Sequence, residues 1–294
     1  MQLAIFSNYD QASMKTPKGQ LLKWIGNKQR FAAQIASHFP RRFRRYFEPF
    51  VGSGAVLATL APRDGVASDV FPPLVEIWKT LVRNPEKLKQ WYADRCQYLD
   101  KGAKNEVYEK IKAAYNAEPN GADLLFLCRA CYGGVVRFRK SDGFMSTPCG
   151  IHDPIPPRKF NERVNDWHER VSHVEIRQSD YREVMKEAQA GDLVYCDPPY
   201  SYTQTILYGA QDFRLEDLFE AIARCKSRGV AVALSIDGTK KSGDLFCDFE
   251  LPEGLFEQEI DVHCGRSMLK RFQMEGQSLE TEEVTDRLLL TYPP

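Results

Sequence analysis

Short apolar runs recur along this chain, and each ends on a glycine or a carboxylate before a helix-forming stretch begins. The run Tyr46–Val51 leads into Gly52-Ser53-Gly54 and then Ala55–Ala61, a good helix former bounded by Pro62. Val66–Val70 carries Asp69 near its end, Val174–Arg177 leads to Asp180, and Leu193–Cys196 stops at Asp197. Val230–Ile236 follows the helical stretch Leu215–Ser227, and two strand-like runs, Gln258–Cys264 and Arg287–Tyr292, close the series. Strands that are apolar on both faces need cover on both faces. With helices between them, they predict an α/β fold with a doubly wound, mostly parallel sheet.

The alternation breaks from about Asn84 to Arg170. Helical stretches over Pro85–Tyr98 and Glu106–Tyr115 precede a segment, 129–157, that has neither period and is broken by prolines and glycines. This predicts one α/β domain, residues 1–83 and 171–294, interrupted at 84–170 by a mainly helical and loop-rich subdomain. Lys28–Phe39 is expected to be helical, closed by Pro40.

Lysine and arginine total 40 against 40 aspartates and glutamates, so the formal charge is zero. That excludes a binder held to nucleic acid by its charge as a whole, but leaves local patches open. No run approaches the roughly 18 apolar residues of a membrane span, and no signal peptide is evident, which makes a cytoplasmic protein the expectation. Cys128 and Cys131 form a C-x-x-C, but no second pair stands at zinc-ribbon spacing. Beside the apolar run Leu124–Leu127 they are expected to be packed thiols, and Cys196 likewise.

Two motifs carry chemistry. In Glu48-Pro49-Phe50-Val51-Gly52-Ser53-Gly54 the glycines let the chain turn tightly after a strand and approach a ligand closely. Leu57 stands where a dinucleotide fingerprint has its last glycine, which speaks against a dehydrogenase. Asp69 is placed to bind two ribose hydroxyls, or else to cap a helix. Asp197-Pro198-Pro199-Tyr200 is more specific. Its prolines stiffen the chain as it leaves the sheet. The Asp197 carboxylate and the Pro198 carbonyl can accept from one amino group, and Tyr200 offers a flat face to a planar base.

These motifs, with Lys23-Trp24-Ile25-Gly26-Asn27-Lys28 ahead of them and Ser179-Asp180-Tyr181 between them, resemble the DNA adenine N6-methyltransferases of the Dam-like family. The likeness runs from about Lys18 to Tyr292 in the family's order. It implies a Rossmann-like, S-adenosylmethionine-dependent methyltransferase sheet with 84–170 as a target-recognition insert. Asp197, Pro198, Pro199 and Tyr200 would be catalytic and act on the amino group of an adenine flipped from double-stranded DNA. Trp24 and Lys28 would meet the cofactor's methionine end, with Glu48, Pro49, Phe50, Gly52, Ser53 and Gly54 wrapping it. Asp69 would bind its ribose, Asp180 and Tyr181 would border its adenine, and Asp197 would lie beside it. No metal is required.

Within the insert, Arg129, Tyr132, Arg137, Phe138, Arg139 and Lys140 form a basic stretch with aromatic residues interleaved and no acidic residue, the candidate DNA contacts. Arg41-Arg42-Phe43-Arg44-Arg45 is a second basic cluster, expected to flank the first strand rather than lie along DNA. A cognate restriction endonuclease is a candidate partner. Gly133-Gly134 and Phe144–Gly150 depart from the family's pattern, so GATC is not carried over as the recognition sequence. Methylation of cytosine N4 or of an RNA base, and a catalytically silent DNA-binding module, are the competing readings.

Overall fold

The computed structural model describes residues 7–8, 14–99, 103–139, 141–199, 213–240, 250–265 and 284–293. Tyr200, Lys140 and the acidic residues Glu275, Glu280, Glu282 and Glu283 that precede Asp286 lie outside the described residues. The chain runs β1 (Ser7–Asn8), α1 (Ala32–Ser37), β2 (Arg42–Phe43), β3 (Tyr46–Glu48), α2 (Ala55–Leu60), β4 (Gly65–Asp69) and α3 (Pro72–Arg83). Then come α4 (Pro85–Cys96), α5 (Lys104–Ala117), α6 (Gly121–Ala130) and α7 (Pro157–Val171). β5 (Val174–Gln178), α8 (Tyr181–Glu187), β6 (Leu193–Cys196), α9 (Leu215–Ser227), β7 (Ala231–Lys240), β8 (Gln258–Gly265) and β9 (Val284–Leu290) complete it.

Seven strands form one sheet in the order β5-β4-β3-β6-β7-β9-β8. The five from β5 to β7 are parallel, and β9 is antiparallel to both its neighbours. The chain steps outward from β3 to β4 and β5, then returns to β6 on the other side of β3. Such a reversal opens a crevice at the carboxyl ends of the two central strands, where open α/β sheets bind ligands. Here those ends carry Glu48 and Asp197.

Alternate side chains of each strand enter cores on opposite faces. Tyr46, Ala67, Leu193 and Tyr195 pack under helices α1 to α7, while Phe47, Val66, Val194 and Cys196 pack under α8 and α9. Every residue of β3, β4 and β6 is buried, as strands covered on both faces must be. Helix starts follow local chemistry. Prolines occupy the first turns of α3, α4 and α7, and the Asn84 and Asn120 side chains accept from Lys87 N and Asp123 N at the starts of α4 and α6.

The helix expected over Lys28–Phe39 is shorter, beginning at Ala32. Asn27 Oδ1 accepts from Gln29 N and Phe31 N bonds to Lys28 O, so turns consume the main-chain groups a longer helix would use. Arg44 and Arg45 lie at the amino ends of the strands, opposite the crevice. They pair there with Asp192 at 3.1 Å and Asp64 at 3.0 Å. The cluster flanks the first strand, as expected.

Segment 84–170 shares one hydrophobic core with the helices covering the first sheet face, with α6 against α3 and α7 against α2 and α3. Its irregular strip, 132–156, is held by helix side chains. Tyr92 and Tyr108 donate to Ile155 O and Thr147 O at 2.7 and 2.8 Å, and the Asn116 amide bonds Met145 N and Met145 O. Those side chains supplement the strip's own short main-chain pairing, in which Arg139 N donates to Phe144 O and Ser146 N to Arg137 O. Cys128, Cys131 and Cys196 are buried free thiols, and burial raises the first two to about 11 and about 12. Among the described residues no helix is long and apolar enough to cross a membrane.

Candidate active site

A single cavity at the reversal of strand order brings together residues far apart in sequence. Its walls take Trp24 and Lys28 from the segment before α1, and Glu48 to Ser53 from the end of β3. β4 contributes Asp69, the start of α8 Asp180 and Tyr181, and β6 Asp197, Pro198 and Pro199. Of the residues expected here, Gly54 stands behind this wall. Ile25, Val70, Arg182, Tyr195 and Phe213 also line the cavity, and sequence reasoning did not name them. Val70 was within reach as the neighbour of Asp69; nothing in the sequence marks Phe213.

The glycine turn is knit together before any ligand enters. Gly52 N donates to Asp69 Oδ2 at 3.3 Å, Val51 N to Ser68 O, and Gly54 N to Val51 O. Gly52 and Gly54 have φ of 45° and 62°, the left-handed region that glycine enters freely. A Cβ on Gly54 would stand 2.5 Å from the Trp78 ring, whose Nε1 donates to Gly52 O at 3.0 Å. Gly54 therefore makes room for the tryptophan that buttresses the loop, rather than for a ligand. Proximity to a ligand falls to Gly52 and Ser53.

Asp69 is buried, and its two oxygens accept from Gly52 N and from Phe71 N at 3.1 Å. Burial, opposed by these main-chain N–H groups, raises its carboxyl to about 6. Both oxygens keep further lone pairs for a ligand hydroxyl. Opposite, Phe50 stacks on Tyr181 with centroids 5.0 Å apart, and Phe213 stands edge-on to Phe50. Among the described residues the buried Tyr181 hydroxyl has no hydrogen-bond partner. Asp180 caps α8 by accepting from Arg182 N at 2.8 Å.

Charge gathers beside Asp197. Lys28 is almost wholly buried, and its Nζ lies 2.9 Å from Asp197 Oδ1, 3.4 Å from Asp286 Oδ2 on β9 and 3.4 Å from Gly26 O. The amine expected to face a cofactor carboxylate thus stands between two of the protein's own, because a buried ammonium needs its counter-charges close. Asp286 is a further residue that the sequence does not mark, since it only precedes the last strand-like run. Glu48 accepts from Tyr46 Oη at 2.5 Å. Burial is the main reason its carboxyl rises to about 8, with the Asp197 charge adding to the rise, so Glu48 is mostly protonated at neutral pH. Tyr195 Oη and Ser235 Oγ, 2.9 Å apart, tie β6 to β7 beneath the site.

The candidate DNA contacts separate. Tyr132, Arg137 and Arg139 are exposed. Arg129 is buried, its Nη1 donating to Gln20 O and Leu21 O at 2.9 and 2.7 Å, so its guanidinium braces the segment leading to Trp24 and is not offered to DNA. Phe138 is buried as well. It packs edge-on against Phe71, which in turn touches Trp24, and so fastens the exposed strip to the cavity wall.

Residues 24–257 match a family model described as D12 class N6 adenine-specific DNA methyltransferase. Type II methyltransferase M1.LlaDCHI of Lactococcus lactis is 27% identical over 253 residues, which cover 78% of this chain and 84% of the relative. The DNA adenine methylase of Vibrio cholerae is 26% identical across 76% of this chain and 83% of its own length. The retron Ec67 DNA adenine methylase of Escherichia coli is 28% identical across 84% and 87%.

Proposed function

Since the chain belongs to the D12 class of N6 adenine-specific DNA methyltransferases, we propose that its cavity holds S-adenosylmethionine and presents it to an adenine flipped out of duplex DNA against Asp197. The observation that carries this reading is the meeting of Asp69, Tyr181 and Asp197 in one cavity at the fork of the sheet. The residues present fit the cofactor. A buried carboxylate with open lone pairs suits ribose hydroxyls, and the stacked Phe50–Tyr181 pair suits a purine. The orphaned Tyr181 hydroxyl supplies a polar group awaiting a partner. Trp24, Pro49, Gly52 and Ser53 complete the wall around the remainder of the molecule. When bound, S-adenosylmethionine supplies an electrophilic methyl group on a sulfonium.

The protein's part is alignment and electrostatics. An adenine amino nitrogen is a poor nucleophile because its lone pair is delocalised into the ring. The Asp197 carboxylate and the Pro198 carbonyl accept its two N–H bonds, favour a pyramidal nitrogen and stabilise positive charge as it develops there. Pro198 and Pro199 hold these acceptors on a stiff exit from β6, which keeps the nitrogen in line with the methyl. Extruding the base costs a few kcal/mol. Stacking on Tyr200, whose role comes from the family motif, returns about 1–3 kcal/mol. Arg137, Arg139 and Tyr132 lie on the exposed strip as contacts to DNA, with Lys140 beside them in sequence.

Mapping modified bases in plasmid DNA from a methylation-free host that expresses the protein tests the reading. N6-methyladenine in one sequence context is the expected result. N4-methylcytosine in its place, or no modification, would overturn it. Protection of the same plasmid from restriction endonucleases that cut within that context is the expected second readout of the modification.

A further inference from the structure

Lys28 bears on the reaction through the two carboxylates that share it. Its ammonium has three N–H bonds, and Asp197 Oδ1, Asp286 Oδ2 and Gly26 O lie around it at 2.9, 3.4 and 3.4 Å. The Lys28 and Asp286 side chains are 6% and 11% exposed, so water is a poor substitute for either partner. Methyl transfer places growing positive charge on the nitrogen that Asp197 grips. An ammonium held against the same carboxylate opposes that charge and draws electron density from the acceptor. The chemistry is therefore best served when Lys28 leans away from Asp197, and a buried cation moves only toward another anion. Asp286 stands on its other side, supplied by β9, an antiparallel strand that carries none of the family motifs.

We propose that Asp286 is a positioning residue that takes over the Lys28 ammonium when the target amino group engages Asp197. The inference rests on the reading of Asp197 given above. Two anchors for one cation let the carboxylate change partners without stranding a buried charge. Asp286 itself touches neither base nor cofactor in this scheme.

Single-turnover methylation of unmodified plasmid DNA with labelled S-adenosylmethionine tests it in the full chain. Asp286→Asn is expected to slow the methylation step about 30-fold while calorimetric affinity for S-adenosylmethionine stays within threefold, because Lys28 loses the carboxylate toward which it would lean away from Asp197. Asp286→Glu is expected to recover most of the rate. The deciding variant is the double substitution Lys28→Met with Asp286→Asn, expected to be faster than Asp286→Asn alone because the Lys28 ammonium no longer competes for Asp197. A double variant as slow as or slower than Asp286→Asn, or an Asp286→Asn protein with the wild-type rate, would overturn the proposal. An Asp286→Asn protein that loses cofactor affinity together with its rate would show a structural role and overturn it too. Wild-type protein that methylates no plasmid would instead bring down the underlying reading of Asp197, and this inference with it.

Discussion

At the carboxyl ends of β3, β4 and β6 the functional groups stand on main chain that a continuous sheet hydrogen-bonds, whereas the strip 132–156 pairs with itself at a few points and takes further partners from side chains of α4 and α5. In the first region each group is fixed from behind: the buried Asp69 by two main-chain N–H groups, the half-buried Asp197 by Lys28, the glycine turn by Trp78. In the second, Arg137 and Arg139 are exposed, and Arg139 pairs with Asp142, also exposed, three residues away. A reacting nitrogen tolerates little displacement, and a duplex must be met by groups that can adjust. Substitutions in the first region should therefore act on rate, and those in the second on DNA affinity.

The largest effect expected is at Asp197. Asp197→Ala should lower the methylation rate at saturating substrates by about a thousandfold or more, the scale of losing a charged acceptor aimed at developing charge. Its melting temperature should also fall, because the buried Lys28 loses its nearest counter-charge, so the rate is compared at a temperature where the variant is folded. A rate within tenfold of wild type would break the assignment of this region to chemistry.

A pair of glycines gives a sharper comparison. Gly54 and Gly143 have nearly the same backbone, with φ of 62° and 68°. A Cβ at Gly54 strikes Trp78 at 2.5 Å, while one at Gly143 meets nothing within 4 Å. Gly143→Ala should cost only the left-handed conformation, about 1 kcal/mol. Gly54→Ala adds overpacking of a buried ring and should cost about 3 kcal/mol. Urea unfolding of both variants measures the difference. Equal losses would mean that the turn near the cofactor is no more tightly packed than the tip of the strip.

The two regions were also unequally legible in the sequence. β3, β4 and β6 could be read because buried strands need apolar side chains on both faces, and the motifs sit where those strands end. Glu48, Asp69 and Asp197 were found that way. Asp286 was not, since its pairing with Lys28 depends on β9 lying beside β7, a register that no local pattern encodes. The strip showed no period because its main-chain pairing is limited to isolated bridges and is completed by side chains such as Tyr108 and Asn116, which advertise nothing at their own positions. Arg129 illustrates the limit: it looks like its neighbours in sequence, yet tertiary packing turns it inward to Gln20 O and Leu21 O.

Titration probes the buried region at intermediate magnitude. Burial raises the Asp69 carboxyl from 3.8 to about 6. A raised carboxyl means that the folded state binds the proton more tightly than the unfolded chain. Its contribution to stability is then full below about 4 and lost as pH rises through about 6. Asp69→Asn should flatten that part of the stability profile in urea unfolding at stepped pH. Cofactor binding should respond in the opposite sense, because the ionised carboxylate is the stronger acceptor for ribose hydroxyls. Affinity for S-adenosylmethionine should fall as pH drops below about 6, by no more than about tenfold per unit. An affinity flat from pH 7.5 to 5 would remove Asp69 from the ribose site.

The smallest effect expected lies on the strip, where it tests whether exposure translates into DNA contact. Arg137 is exposed, and its main-chain N–H donates to Thr147 Oγ1 at 2.8 Å, so truncating its side chain leaves the fold of the strip in place. If Arg137 meets a phosphate, Arg137→Ala removes about one unit from the slope of log affinity against log salt and weakens binding alike on all sequences. If it reads a guanine edge, the salt slope changes less and the methylated motif relaxes at one position, at a cost of about 1–3 kcal/mol of discrimination. Filter binding across a salt series, together with the modified-base map of the variant, separates the two. An unchanged slope with an unchanged motif would show that exposure on this strip does not suffice to mark a contact. The DNA face of the insert would then have to be sought at Tyr132 and Arg139.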